Sequence, residues 1–325
     1  MDCGQPGERR GACVPRRHAT VRRRAGRRPR ATRLGAPRIA TTARGGRDMK
    51  PLRIGFLVSS RYAQSTSHVP PVMRALAEAG VVVDVIHPVT RALELSQVRA
   101  ECDLYVLKKM SRLSLSLAGA LHTRGAVIVN PYPVTVALRD KIVTAKILES
   151  AGVPTPTAYV AAHPQELAPL LDGGPLIVKP YQGSDGVGVR VVRSVAQLAS
   201  VRDGRDPVFA QRYHQPEGRD RKIYVVGSQL FGVKKVFPAR TDEERRGEPF
   251  TPSPELRDIA LRCGRAFGID FFGVDIIESK GMPYVVDMCS IPGCGGVPDA
   301  PRHLASYLLE AAERAARRPQ GWRVA

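Results

Sequence analysis

The chain has 325 residues, the length of about two domains, and its 43% apolar residues are enough for a sizeable core. This composition excludes collagen-like, wholly disordered and disulfide-scaffold proteins, and no apolar run approaches the roughly 18 residues of a membrane span. The net charge of +20 is uneven, because residues 1–48 carry 14 Arg, no Lys and 3 acids, whereas residues 49–325 carry 36 basic and 27 acidic residues.

The first 48 residues form an Arg-rich tail with four aliphatic residues and no aromatic residue. So few apolar side chains cannot offset the entropy of ordering, and we expect this tail to be disordered. Because the composition changes abruptly at Met49, we expect the natural start of the protein to be Met49. No aromatic residue is interleaved with the Arg clusters for base stacking, so the sequence does not favour a nucleic-acid partner.

Residues 49–130 alternate apolar strands with helices. The predicted strands are 52–58, 81–86, 104–108 and 126–129, and the predicted helices are 70–79 and 112–124. This alternation predicts a small doubly wound parallel α/β domain. No Gly-rich fingerprint follows the first strand, so we do not predict a dinucleotide site there.

A Pro-rich break at Asn130-Pro131-Tyr132-Pro133 marks the start of a second domain, 131–318, which a short tail, 319–325, follows. Its predicted helices are 134–150, 164–171, 194–201, 254–267 and 301–317. Its predicted strands are 157–161, 175–179, 188–193, 207–213, 271–277 and 283–289, with a hairpin around Val226-Gly227-Ser228-Gln229 and a charged loop at 239–250. Runs of antiparallel strands predict an α+β second half.

A glycine loop follows the strand that ends at Lys179, with glycines at 183, 186 and 188. Glycines let main-chain N–H groups approach phosphate oxygens, and Lys179 supplies positive charge. The pattern therefore predicts a phosphate-covering flap, and its mobility, since no large apolar residue within it would pin it. A plain Gly-rich hairpin turn is the alternative interpretation.

Two acids lie in very apolar strands, Asp275 in one and Asp287 in the next. A turn centred on Gly281 would place them opposite each other, where like charges destabilise a sheet. A divalent cation between them removes this cost, and oxygen ligands favour magnesium over zinc. Cys289 would point to the same face as Asp287. The alternative is a pair of acids at a sheet edge, each paired with Lys or Arg.

Basic residues suggest further contacts with anions. Lys141, in Arg139-Asp140-Lys141, is either a phosphate contact or part of an exposed helix turn. A second set is either aimed at an anionic ligand or a solvated face, and it comprises Lys222, Lys234, Lys235, Arg240, Arg245 and Arg246.

Together these motifs resemble the ATP-grasp superfamily, and most closely its ribosomal-protein glutamate ligase and glutathione synthetase group. The resemblance is carried by Leu148-x-x-Ala151-Gly152-Val153-Pro154, Pro175-Leu176-Ile177-Val178-Lys179-Pro180, Phe272-Gly273-Val274-Asp275 and Val286-Asp287-x-Cys289-x-x-Pro292-Gly293. The last of these also resembles ATP-grasp inositol phosphate kinases. The resemblance implies an ATP-grasp fold preceded by a small α/β domain, with the nucleotide between 139–210 and 211–290.

The resemblance also implies the site residues. The nucleotide contacts would be Lys141, Lys179, Gly183, Ser184, Gly186, Gly188, Gln211, Tyr213, Asp220 and Lys222. The metal ligands would be Asp275, Asp287 and Cys289. Cys289 stands where the family has Asn, and a thiolate is a poor magnesium ligand, so we expect a weak second metal. Arg212 stands where the family usually has Glu.

The leading hypothesis is an ATP-dependent carboxylate–amine ligase that forms an acyl phosphate and requires magnesium, or manganese in its place. Its partners would be a small-molecule or peptide carboxylate and an amine, with Lys235 and Arg240 orienting the anionic acceptor. Two alternatives stay open: a small-molecule kinase acting on a hydroxyl, and a nucleotide-binding protein with little catalytic activity. Six cysteines without a Cys-x-x-Cys pair indicate neither a zinc ribbon nor a redox motif, and this cysteine usage is typical of a protein of the reducing cytoplasm. No membrane partner is expected, and a homo-oligomer is left open.

Overall fold

A computed structural model describes residues 50–59, 62–64, 67–87, 92–108, 111–183, 186–201, 204, 206–237 and 239–317. Within these ranges the side chains of Gln64, Asp242 and Arg245 are not described. The predicted tails, 1–48 and 319–325, and the predicted nucleotide contact Ser184 lie outside the described residues.

The first sheet is parallel and has the strand order β2-β1-β3-β4. Its strands are β1 (Arg53–Leu57), β2 (Val82–Ile86), β3 (Leu104–Leu107) and β4 (Ile128–Val129). Its connections contain the helices α1 (Val69–Glu78) and α2 (Arg112–Thr123) and the short 3-10 helices Tyr62–Gln64 and Leu95–Gln97. The predicted small parallel α/β unit is confirmed.

Continuous apolar runs form these strands because the sheet is covered on both faces. Ile54, Phe56 and Leu57 of β1 are each at most 1% exposed. The helix α1 buries Val72 and Leu76 at the spacing that the sequence predicted.

The second sheet is antiparallel, with the order β5-β8-β6-β7. Its strands are β5 (Ala158–Ala161), β6 (Leu176–Pro180), β7 (Arg190–Val192) and β8 (Val208–Arg212). The helices around it are α3 (Tyr132–Arg139), α4 (Lys141–Ser150), the 3-10 helix Pro164–Gly173 and α5 (Val195–Leu198).

The third sheet is antiparallel, with the order β11-β10-β9-β12-β13. Its strands are β9 (Asp220–Val226), β10 (Gln229–Lys235), β11 (Glu248–Phe250), β12 (Phe271–Ser279) and β13 (Met282–Ser290). The accompanying helices are α6 (Asp242–Arg246), α7 (Pro254–Phe267) and α8 (Ala300–Ala316). The predicted hairpin is therefore β9–β10.

The predicted helix 134–150 is wrong as a single element. It is two helices, because Asp140 adopts an extended conformation (φ −97°, ψ 107°) and caps α4. Its carboxylate accepts hydrogen bonds from the N–H groups of Ile142 (2.9 Å) and Val143 (3.2 Å). The break makes Lys141 the first residue of α4.

The segment 239–250, expected to be a loop, instead contains α6 and β11. Thr241 caps α6, and its side chain and that of Glu244 form a reciprocal capping box.

The last helix, α8, returns to the first sheet and packs on α1 and β3. One apolar core consequently joins Phe56 of the first sheet, Phe271 of the third sheet and Leu308 of α8. The Tyr307 hydroxyl of α8 also donates a hydrogen bond to Asp270 Oδ1 (2.6 Å). The predicted domain boundary at 130/131 falls between β4 and α3, yet the two regions share this core. In the part of the chain that the structure describes, no helix has the length and apolar character needed to cross a bilayer.

Candidate active site

A pair of carboxylates lies on adjacent strands of the third sheet. Asp275 on β12 is directly opposite Asp287 on β13, as predicted, but the turn is not centred on Gly281. The pairs from Ser279–Met282 to Ile276–Val285 centre the turn between Lys280 and Gly281, and a bulge between Asp275 and Ile276 shifts the register and brings Asp275 opposite Asp287. On the other side of β12, Lys222 of β9 is opposite Asp275, and its Nζ lies 2.7 Å from Asp275 Oδ1. Lys141 Nζ lies 3.6 Å from Asp287 Oδ2. Each acid therefore has a lysine partner, which is the arrangement that the alternative interpretation anticipated.

The charge of Lys141 does not fully compensate the burial of Asp287. Burial raises the pKa of Asp287; the Lys141 ammonium acts in the opposite direction, and the charge of Asp275 adds to the rise. Burial likewise raises the pKa of Asp220 to about 6, with Asp275 again adding to the rise. Burial therefore disfavours the charged forms of Asp287 and Asp220, and a nearby cation would favour them.

A magnesium ion fits the carboxylate pair better than it fits the thiol. Magnesium in phosphate-transfer sites takes one or two carboxylates and completes its octahedron with phosphate oxygens and water. Asp275 and Asp287 offer such oxygens, and the described residues contain no group of three or more His, Cys, Asp or Glu side chains that could hold a metal by themselves.

Cys289 lies beside this pair on the same face of β13. It is opposite Gly273, where a Cβ atom would come within 3.0 Å of the Cys289 Sγ. Burial raises the pKa of the Cys289 thiol, which keeps it in its neutral form, a poor ligand for magnesium. Within the described residues, Cys289 does not extend the two acids into a three-ligand group.

Lys179 crosses from the second sheet to the third. Its Nζ donates hydrogen bonds to Gln211 Oε1 (2.8 Å) and to the main-chain oxygen of Val286 (2.9 Å), next to Asp287. The residue is 7% exposed, and this burial lowers the pKa of Lys179 to about 8, even though Asp287 acts to raise it. A buried ammonium is thus held close to the carboxylate pair before any ligand binds.

Lys141 connects the glycine loop to the same place. Its main-chain N–H donates to the Tyr181 oxygen (2.9 Å), and its Nζ donates to the Gly183 oxygen (3.0 Å). Because the same Nζ lies near Asp287, it joins the start of the loop to β13. The cap at Asp140 sets this direction, since it begins α4 at Lys141.

The glycine loop continues at Gly186 (φ +71°) and Gly188 (φ +79°), which need the left-handed backbone that glycine adopts without strain. A Cβ atom on Gly186 would lie 2.6 Å from Cε2 of Phe237, and one on Gly188 would lie 2.8 Å from Cγ of Pro180. Phe237, beyond the end of β10, therefore packs on the loop. The expectation concerned apolar residues within the loop, and the contact with Phe237 comes from a distant segment instead.

Gln211 and Tyr213 lie at the end of β8 that leads to the third sheet. Gln211 is buried and accepts the hydrogen bond from Lys179 described above, whereas the Tyr213 hydroxyl donates to Gln215 Oε1 (2.8 Å). The Arg193 guanidinium lies 5.3 Å from the centre of the Tyr213 ring.

Arg212, between them, points to the opposite face. It donates from Nη1 to the Gly174 oxygen (2.5 Å) and from Nη2 to the Leu170 oxygen (3.1 Å) at the end of a 3-10 helix. Arg212 thus stabilises the structure around the second sheet and does not contact the lysines near Asp275 and Asp287.

At the other end of the cleft, Lys235 of β10 is opposite Asp220 and on the same face as Lys222. Both ammonium groups lie 5.9 Å from the centre of the Tyr224 ring. Burial, followed by the charge of Lys222, lowers the pKa of Lys235. Arg240 is exposed, and its main-chain N–H donates to Glu244 Oε2 (2.5 Å). The structure brings Lys235 into the cluster and leaves Arg240 on the surface.

One residue that the sequence analysis missed comes from the first sheet. Lys108 follows β3, and its Nζ donates to the main-chain oxygen of Ile291 (3.0 Å), just after the carboxylate strand β13. Its position at the carboxyl end of a parallel strand, where such sheets bind ligands, was the available signal.

Comparison with known proteins identifies the family. Residues 138–310 match the RimK-like ATP-grasp domain. A probable alpha-L-glutamate ligase from Citrobacter koseri is 28% identical over 203 residues, which cover 57% of this chain and 68% of that protein. A probable alpha-L-glutamate ligase from Methanococcoides burtonii is 27% identical over 221 residues, covering 62% and 73%.

Solved structures share the fold. A RimK-domain ATP-grasp protein from Sphaerobacter thermophilus superposes with a TM-score of 0.65 at 17% identity, covering 79% of this chain and 98% of that one. A D-alanine–D-alanine ligase from Bacillus anthracis gives 0.61 at 19% identity, covering 81% and 98%. The chain therefore belongs to the RimK-like ATP-grasp family, and the ATP-dependent carboxylate–amine ligase reaction that the sequence predicted is the reaction of this family.

Proposed function

We propose that this protein uses ATP and magnesium to join the carboxylate of an acidic amino acid or peptide to an amine. The observation that carries the proposal is the convergence of two groups that the sequence placed far apart. Lys141 and Lys179, predicted to bind phosphates, meet β13 at Asp287 and Val286, beside the predicted metal ligands.

The two lysines would hold the phosphates of ATP. Lys179 already has a fixed position between Gln211 and β13, so little side-chain entropy is lost when a phosphate binds. Lys141 is tied to the glycine loop at Gly183, and so phosphate binding and loop position would be coupled. Positioning and neutralisation of the γ-phosphoryl group are the main tasks of such a site.

Asp275 and Asp287 would hold magnesium, which neutralises the transferring phosphoryl group when it is bound. Lys222 would then exchange part of its contact with Asp275 for a phosphate or an acceptor oxygen. Cys289 would contribute little to a second metal, because its buried thiol stays protonated.

The acceptor carboxylate would enter from the Lys235 side. In the reaction, an oxygen of this carboxylate attacks the γ-phosphorus of ATP, and ADP leaves. The amine nitrogen then attacks the acyl carbon; phosphate leaves, and the nitrogen loses a proton as the amide forms. The glycine loop would exclude water from the acyl phosphate between these steps.

An acidic acceptor is supported by charge. Lys222 and Lys235 lie on one face of the third sheet together with Asp220 and Asp275, and both ammonium groups lie 5.9 Å from the centre of the Tyr224 ring. A second carboxylate on the acceptor would add a charge-assisted contact with these two lysines. The names of the relatives, probable alpha-L-glutamate ligases, support glutamate as one substrate.

The test is a product assay with ATP, magnesium, glutamate as amine donor and short peptides ending in Glu, Gln or Ala. We expect an amide product and one phosphate released per amide, with the Glu-terminated peptide preferred. A phosphorylated acceptor without phosphate release would instead establish the kinase alternative. ATP binding without turnover on any acceptor would establish the nucleotide-binding alternative.

We also infer a cytoplasmic location and manganese as a second usable ion. The supply of ATP and the four free cysteines among the described residues, Cys102, Cys263, Cys289 and Cys294, support the location. Manganese tolerates sulfur somewhat better than magnesium does.

A further inference from the structure

The segment directly after β13 has an unusual backbone. Ile291 (φ +50°) and Cys294 (φ +48°) both lie in the left-handed region, which residues with a side chain rarely adopt and which β-branched residues adopt least. Both are buried, at 7% and 1% exposure. Such residues persist only where the surrounding structure holds them, and they cluster at functional sites.

Two side chains of the first sheet and its helices hold this segment. Lys108 Nζ donates to the Ile291 oxygen (3.0 Å), and its own main-chain N–H donates to the Leu57 oxygen (3.1 Å) on β1. The His68 ring, at the start of α1, lies against the same segment, because it lines one small cavity together with Ile291 and Gly293. The segment is thus in contact with the N-terminal α/β domain through both side chains.

The surroundings make the Lys108 contact hard to replace. Lys108 and His68 line a small cavity whose other walls are apolar side chains, among them Phe56, Val106 and Phe271. An ammonium group in such a setting loses its hydration, so a carbonyl partner matters more than it would in water.

The opposite side of the segment faces the active site. A Cβ atom on Gly273 would lie 3.2 Å from Cβ of Pro292 and 3.0 Å from Sγ of Cys289. The Tyr224 hydroxyl donates to the Gly295 oxygen (3.4 Å). The Nζ atoms of Lys222 and Lys235 both lie 5.9 Å from the centre of the Tyr224 ring. The segment is therefore the wall of the site on the acceptor side, away from Lys141 and Lys179.

We propose that Lys108 is a positioning residue for the ligase reaction. It holds Ile291 and Cys294 in their left-handed conformations, so that the acceptor carboxylate meets a fixed surface. His68, which lines the same cavity as Lys108, is the second side chain of the N-terminal α/β domain that supports this segment. The N-terminal α/β domain is then part of the acceptor site, although it supplies none of the predicted phosphate or metal ligands. The inference rests on the ligase function proposed above.

The first test compares Lys108→Met, which keeps the stem and removes the donor, with Lys146→Met. Lys146 is an exposed lysine of α4 paired with Glu149, and it controls for the lost charge. We expect Lys108→Met to lower kcat/KM for the acceptor about tenfold, while the Kd for ATP stays within about twofold. Lys108→Arg, which restores a donor, should recover part of the loss. Equal effects on acceptor and ATP, or no effect beyond that of Lys146→Met, would overturn the inference.

The second test does not require turnover. Hydrogen exchange of the peptide that covers residues 291–296 should be about tenfold faster in Lys108→Met than in the parent or in Lys146→Met. Unchanged exchange overturns the inference whether or not an acceptor is found. Failure of the parent to form an amide with any acceptor would instead count against the proposed function, so the two failures are distinguishable.

Discussion

The two ends of the cleft differ in how firmly their cations are fixed. At the phosphate end, Lys179 is buried and hydrogen-bonded to Gln211 and Val286, and Lys141 is bonded to Gly183. At the acceptor end, Lys235 is half-buried above the Tyr224 ring, and Arg240 is exposed beside α6. If the proposed roles hold, the residues for the chemistry common to the family are fixed before ATP binds, whereas the choice of acceptor depends on side chains at the rim and on the segment after β13.

The largest effect is expected at the fixed end. Lys179→Ala removes a buried charge-assisted contact, so ATP binding should weaken by about 1.5–3 kcal/mol. Calorimetric titration measures this, and Lys146→Ala is the matched control because that lysine is exposed. Unchanged affinity in Lys179→Ala, with the fold intact by circular dichroism, would contradict the assignment and would remove the contrast between the two ends.

A pH titration sharpens the same point. The pKa of Lys179 is lowered by burial from 10.5 to about 8, so the ammonium form that binds phosphate is lost as the pH rises through 8. ATP affinity in the parent should therefore decline above pH 8, by up to about tenfold per pH unit.

The same group affects folding with the opposite sign. The unfolded chain binds this proton more readily between pH 8 and 10.5, so the contribution of Lys179 to the free energy of unfolding rises with pH in that window. Lys179→Met should flatten both profiles, and a slope in ATP affinity that survives the substitution must come from another group.

Arg212, which stands where the family usually has Glu, allows a test of whether this departure affects nucleotide binding or stability. Arg212→Glu loses the hydrogen bonds to Gly174 and Leu170 and the contact with Tyr159. We expect a loss of about 1–3 kcal/mol in the free energy of unfolding, with ATP affinity within about twofold. Urea denaturation measures the first quantity, and Arg257→Glu on the exposed face of α7 controls for the charge reversal. A selective loss of ATP affinity would place Arg212 in the nucleotide site instead.

The sequence predicted much of the arrangement at the phosphate end of the site and little of the arrangement at the acceptor end. The pairing of Asp275 with Asp287 was predicted from a turn centred on Gly281, but it results from a turn at Lys280 and Gly281 together with a bulge beside Asp275 that the sequence did not indicate. The alternation of strands and helices located the elements of the first sheet, because this alternation is a local property of the sequence. The break at Asp140 was not predicted, because an acid inside an apolar helical pattern also fits an exposed helix turn, although Asp is a preferred N-cap.

Contacts between distant segments could not be predicted from the local sequence pattern. Lys108 and Ile291 are 183 residues apart in the sequence, and no local pattern around either residue predicts their contact. Phe237 packs on Gly186 for reasons equally invisible in the local sequence. The capping box of Thr241 and Glu244 was readable, but a charged composition suggested a loop.

Cys289 is the point at which the metal side of the site departs from the family. Asn in its place would offer magnesium an oxygen instead of a buried, protonated sulfur. We expect Cys289→Asn to raise turnover in magnesium by roughly tenfold, or about 1.4 kcal/mol in activation free energy, and to raise it less in manganese. Cys289→Ala, which removes sulfur without adding a ligand, should show no gain. Equal or lower activity of the Asn variant in magnesium would refute the idea that Cys289 limits the reaction.

The smallest effect is expected in the glycine loop, which connects the two ends. Gly183 and Gly186–Gly188 should exchange amide hydrogens rapidly in the free protein and more slowly with bound ATP, because phosphates engage their N–H groups. Phe237 contacts Gly186 and should slow amide exchange of the loop in the free protein. This effect should be small, because Phe237 is 56% exposed. Phe237→Ala should therefore speed exchange in the free protein a few-fold, whereas Val187→Ala, a change at a side chain 75% exposed, should not. If protection is the same with and without ATP, the loop is a static turn and Lys141 and Lys179 bind phosphates without a cover. If only the Phe237 effect is absent, the loop still closes on phosphate, and the ring rests on Gly186 without holding it.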